Sequence, residues 1–113
     1  MMKKKKVRAL LAEMMGWHVV VDDGEEYYSD EDDCQHGRVD CFYPDTHPGD
    51  CLTCIDKWRE LGEGIEIVSI AGGEWFTDTG KATHLSKSFT KAVAVCLAKS
   101  WKKLKKEKGN EPD

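Results

Sequence analysis

The stretch that most limits the fold is Ser86 to Lys106, SKSFTKAVAVCLAKSWKKLKK. At helical spacing Phe89, Ala92, Val93, Cys96, Leu97, Trp101 and Leu104 share one stripe, while Lys87, Lys91, Lys99, Lys102, Lys103 and Lys106 lie mostly off it. That is the pattern of an amphipathic helix with one buried face. A helix of about twenty residues is about 30 Å long, roughly the width of a small domain. The remaining, shorter elements are expected to pack against it.

A length of 113 residues suits one domain, read as spanning 1–113. The hydrophobic share of 40% and charged share of 34% fit a small soluble domain with a thin core. Net charge is −4, but the charge is segregated. Residues 3–8 and 102–108 are lysine-rich, whereas Asp22 to Asp40 holds nine carboxylates against Arg38 alone. The acidic balance argues against nucleic acid as the main partner. Arg8, Glu13 and His18 interrupt any signal-peptide core in Met1 to Val21, and no stretch is long enough to span a membrane. A cytoplasmic protein is expected, with no membrane contact. Five cysteines in that setting favour free thiols or a metal over disulfides.

Along the chain, Val7, Leu10, Leu11 and Met14 predict a first helix over 3–15, ended by Gly16. Trp17 to Asp22 is β-branched and predicts a strand, central and buried on both faces. Residues 23–40 lack periodicity and predict an exposed acidic loop. Asp45, Thr46 or His47 can cap a second helix that starts near Pro48 and runs through Leu52, Ile55, Trp58 and Leu61. Ile65 to Ala71 and Glu74 to Asp78 predict a hairpin across a two-residue turn, Gly72-Gly73, and Ser86 would cap the last helix. The expected fold is α+β in the order α-β-α-β-β-α, with one three-stranded sheet layered between helices.

Several local strings carry a resemblance. They are Met15-Gly16-Trp17, Tyr43-Pro44-Asp45-Thr46, Trp58-Arg59-Glu60-Leu61-Gly62, Trp75-Phe76, and the alanine- and valine-rich Lys91 to Ala98. In these the chain resembles the phage ABA sandwich domain family, small proteins of phages and prophages. The resemblance implies a helix-sheet-helix domain in a phage setting and carries no catalytic residues. The chain departs from the pattern at Thr46-His47-Pro48-Gly49 and in the cysteine-rich segment.

Four cysteines and two histidines fall within 21 residues: Cys34, His36, Cys41, His47, Cys51 and Cys54. Zinc takes four such ligands in a tetrahedron, and Cys51-x-x-Cys54 has half-knuckle spacing. A zinc site would tether the acidic segment. The alternative is that Cys51 and Cys54, inside a predicted helix, are small buried residues. Asp30, Glu31, Asp32 and Asp33 offer a carboxylate surface for a basic partner. Trp17 and Trp75, at strand positions, are candidate anchors for a partner. No serine-histidine-acid arrangement or phosphate-binding glycine pattern is recognisable, so an enzyme is not expected. The expected role is a non-enzymatic phage or prophage accessory protein. It would bind a host protein or a small signalling ligand, an action that would counter host defence. The alternative is a zinc-stabilised binding module. A thin core and open sheet edge also predict a homodimer.

Overall fold

The computed structural model describes residues 2–108. Helix α1 spans Lys4–Met14. Strands β1 (His18–Asp22), β2 (Glu25–Ser29) and β3 (Gln35–Arg38) follow, then a single 3-10 turn over Val39–Cys41. Helix α2 spans Pro48–Glu60. Strands β4 (Glu66–Ile70), β5 (Glu74–Asp78) and β6 (Thr83–Ser86) lead into α3, Phe89–Glu107. Among the described residues the strands form two separate antiparallel sheets, β1-β2-β3 and β4-β5-β6. The α+β class is as expected. The single three-stranded sheet and the α-β-α-β-β-α order are not, because two strands lie in the acidic segment and one follows Gly80.

The acidic segment folds because its charges sit at the surface of a hairpin. Asp23 and Gly24 have φ of 53° and 77°, and Asp22 pairs with Glu25. Two consecutive positive φ values make a primed two-residue turn, whose twist suits a hairpin. Val19 and Val20 then lie opposite Tyr28 and Tyr27. Tyr28 is buried and meets Trp17 and Phe42 at centroid distances of 5.6 and 5.8 Å. Strand β1 was expected to be central and doubly buried. It is an edge strand, and Val21 is 70% exposed. Its valines supply β-propensity and cross-strand contact, while Trp17, Tyr28 and Phe42 join the sheet to the core.

The core lies between the helices. Helix α1 buries Val7, Leu10, Leu11 and Met14, and stops where Gly16 takes φ of 84°. His47 caps α2 by accepting the Asp50 N–H on Nδ1 at 3.3 Å. Helix α2 buries Cys51, Cys54, Ile55 and Trp58, so its inner face is rotated toward the cysteines and Leu52 is left exposed. Trp58 donates from Nε1 to the Gly64 carbonyl at 2.9 Å, which satisfies the buried indole. Ser88, not Ser86, caps α3, because Ser86 belongs to β6.

Helix α3 is buried continuously from Ala92 to Ala98, more than one stripe requires. Helices α1 and α2 pack on one side and the β4-β5-β6 sheet on another. The β4–β5 hairpin turns through three residues, 71–73, rather than two, with Gly72 and Gly73 at φ of 97° and 81°. Arg8 reaches Asp45 with two hydrogen bonds, Nε at 2.8 Å and Nη2 at 3.2 Å, and lies 4.6 Å over the Tyr43 ring. Thr90 donates to the Asp45 carbonyl at 2.9 Å, tying the segment before α2 to the start of α3. No described helix is long and apolar enough to cross a membrane.

Candidate functional site

A cleft of about 580 Å³ opens between the start of α1, strand β6 and the outer side of α3. That is within the usual range for small-ligand sites, about 300–1,000 Å³. Its apolar lining includes Met2, Val7 and Val95, with Leu85 on the β6 side. Lys4 enters from the first turn of α1 with Lys3 just before it, and Lys91 and Lys99 from α3. Lys91, Val95 and Lys99 are four residues apart, so α3 places them in one row along the cleft. Lys3 and Lys4 are here because α1 begins here.

Two features keep the cleft positive. Among the described residues Asp45 is the one carboxylate lining it, and Arg8 pairs with it from behind. His84 stands 3.3 Å from Lys99 Nζ through Nδ1. Burial, and then the charges of Lys99 and Lys91, push its pKa below the usual histidine value. The neutral ring is therefore favoured. With Nδ1 accepting from Lys99, its proton sits on Nε2 as a further donor. The first turn of α1 adds to this field. Lys3 offers no side-chain cap, and no acidic residue stands in that turn. Uncapped N–H groups and the dipole make a helix start attractive to anions. The arrangement suits a ligand with a negative group at the lysines and an apolar or aromatic body on the floor.

The residues singled out in the sequence lie elsewhere. Cys51 and Cys54 are fully buried on the inner side of α2. Burial pushes the Cys51 thiol up to about 11 and the Cys54 thiol higher still. A thiol must ionise to ligate zinc, and burial among apolar groups opposes that. Cys34 and Cys41 are exposed. His47 is committed to the α2 cap. His36 bonds Asp30 Oδ2 at 2.7 Å through Nε2 and stacks on Trp17 at 4.8 Å. Among the described residues no three His, Cys, Asp or Glu side chains converge as a metal-holding group.

Asp30 also accepts the N–H groups of Asp32 and Cys34 at 2.9 and 3.1 Å, so it builds the β2–β3 turn. Its carboxyl is held below the usual range, first by the His36 bond and then by the Cys34 amide. Glu31, Asp32 and Asp33 are exposed on that turn. Trp17 is half-buried among Tyr28, His36 and Phe42, and Trp75 is half-buried edge-on to Phe89 at 5.1 Å. Sequence reasoning passed over the lysines of the cleft as solvated flank. Two signals were present: the Lys91-Val95-Lys99 row, and lysines crowded at the helix end where the dipole disfavours cations. Compared with family models, curated proteins and solved structures, the chain shows no match.

Proposed function

We propose that this chain is a non-enzymatic binding protein that holds a small anionic ligand in the cleft between α1, β6 and α3. The ligand class is a phosphate or sulfate ester on a flat, largely apolar body. The observation that carries this is the convergence of Lys3, Lys4, Lys91 and Lys99 on an apolar floor where the carboxylate of Asp45 is already paired with Arg8. The likeness to the phage family suggests an accessory protein acting in the cytoplasm of a host cell. Of the two partner types expected there, a host protein or a small signalling ligand, the cleft favours the ligand.

Titration with 2-naphthyl phosphate, 2-naphthol and inorganic phosphate tests the reading, followed by tryptophan and naphthyl fluorescence. The ester should bind tighter than either half alone. Lys4→Met with Lys99→Met should weaken it by about tenfold or more, the scale of two lost charge-assisted contacts. Equal affinity of the double variant, or of naphthol and its ester, defeats the proposal.

A further inference from the structure

Among the described residues, the face of the β4-β5-β6 sheet turned away from α3 carries a partly exposed apolar row, half-buried at Phe76. Side chains alternate across a strand. Trp75 meets Phe89 of α3, and Thr77, on the same side of β5, is fully buried. Glu74, Phe76 and Asp78 therefore point the other way. Phe76 pairs with Val68 on one neighbour and Leu85 on the other, so these three cross all three strands. Val68 and Leu85 are 40% and 48% exposed, and Ile70 is exposed beside them. Carboxylates border the row. Glu66 and Asp78 pair at one end, and Glu74 stands opposite Ile70 at the other. The three strands contain no lysine or arginine.

We infer that this face docks a basic amphipathic helix of another protein, about three turns long. Charge chooses the partner: an apolar centre with carboxylates at both ends matches leucine-like residues flanked by lysine or arginine. Size chooses the element. Five strand residues span about 16 Å and three strands about 10 Å, close to the length of three helical turns and the diameter of a helix. The opposite face of the same sheet already carries α3 in this manner. A second copy placed face to face would set carboxylates near carboxylates, in a chain of net charge −4. The surface shares only Leu85 with the lysine-lined cleft, and Val68 and Ile70, where it is tested, line no part of that cleft, so it is tested independently of the ligand reading.

The test uses the full chain and a synthetic leucine-lysine peptide of about four turns with its leucines on one helical face. A peptide of equal composition with leucines spread around the helix, and a leucine-glutamate counterpart, are the comparisons. Anisotropy gives affinity and backbone amide shifts give location. The one-faced basic peptide should bind and shift the amides of Val68, Phe76 and Leu85. Val68→Lys should weaken it by about tenfold or more through like charge and lost burial. Leu52→Ser, an exposed apolar position on α2, should leave it unchanged. If Val68→Lys does not keep its melting curve, Ile70→Ser serves in its place. Equal binding of the spread peptide, wild-type affinity of the Val68 and Ile70 variants, or shifts confined to another surface overturns the inference. So does a dimer in light scattering that Val68→Lys dissolves, because a second copy would then cover the face.

Discussion

Arg8→Met tests how the cleft is held together. The Asp45 side chain is 4% exposed and receives two guanidinium hydrogen bonds, at 2.8 and 3.2 Å. Methionine keeps most of the arginine's apolar stem but leaves a buried carboxylate without its cation. Removing one partner of a buried pair costs about 3–5 kcal/mol. Arg8 itself is 26% exposed, so water reaches the pair and the lower end, about 3 kcal/mol, is expected. Loss of the guanidinium over Tyr43 adds about 0.5 kcal/mol. A small domain has about 5–15 kcal/mol in total, so the loss is large but leaves a folded protein. Urea denaturation reads it directly, as a fall in midpoint at constant slope. Asp45→Asn in the Arg8→Met background removes the stranded charge and should recover at least about 1.5 kcal/mol, within the range of coupled contacts. A coupling below about 0.5 kcal/mol, the additivity limit, refutes the claim that Arg8 neutralises Asp45.

Further outcomes follow from other parts of the structure. Cys34 and Cys41 should react with a disulfide reagent in the native chain at neutral pH, while Cys51, Cys54 and Cys96 should react only after unfolding. Zinc below about 0.2 equivalents in the same purified protein removes the zinc-module reading, since structural sites bind tightly. Binding of 2-naphthyl sulfate, which does not titrate in this range, should strengthen as pH falls below the ordinary histidine range. The sign follows from His84, whose pKa is depressed by burial and by Lys99 and Lys91. An anion offsets those lysines and favours the protonated ring, so binding takes up a proton. His84→Asn should flatten the profile; a slope that survives it assigns the proton elsewhere. The free chain should lose the His84 contribution to stability below the ordinary histidine pKa, because the unfolded ring protonates first. Gly24→Ala forces an L-residue to φ of 77° and should cost about 1 kcal/mol, with faster amide exchange confined to β1 and β2.

Local signals in the sequence located all three helices, because each has a periodic apolar face. They also located β4 and β5, and placed His47 among three candidate caps of α2. They did not reveal β2 and β3. Like charge between Asp22 and Asp40 masked the Asp23-Gly24 turn and the Tyr27-Tyr28 pair, which are the hairpin signals. Charge density is compatible with a strand whenever the charged side chains face water, as Glu25 and Glu26 do. Strand β6 was missed because four residues, THLS, show only two apolar or aromatic positions. The inner face of α2 was misread for a related reason: cysteine counts weakly as an apolar residue, and Leu52 counts strongly. The cleft was illegible because it joins three distant segments, and no local pattern states that residues 3, 84 and 99 meet.

The lysines at the start of α1 mark a place where stability and binding conflict. Lys4, Lys5 and Lys6 occupy the first turn, with no side-chain cap and no acid to complement the dipole. Each such cation costs about 0.3–1 kcal/mol, so the turn is cheaper to fray than the rest of the helix. An anion in the cleft reverses the sign of that term for Lys4, and for Lys3 just before it, while also facing Lys91 and Lys99. Ligand and first turn should therefore order together. Pyrophosphate at about ten times its dissociation constant would add about 1.4 kcal/mol, or about 5–10 °C in melting temperature for a domain of this size. Sodium chloride at equal ionic strength screens the lysines without bridging them and should give much less. Hydrogen exchange should slow at residues 4–7 in pyrophosphate and not in chloride. Lys4→Met with Lys99→Met should raise the melting temperature of the free chain slightly and abolish the excess due to pyrophosphate. An excess that persists in that variant would place the anion elsewhere and remove the cleft from consideration.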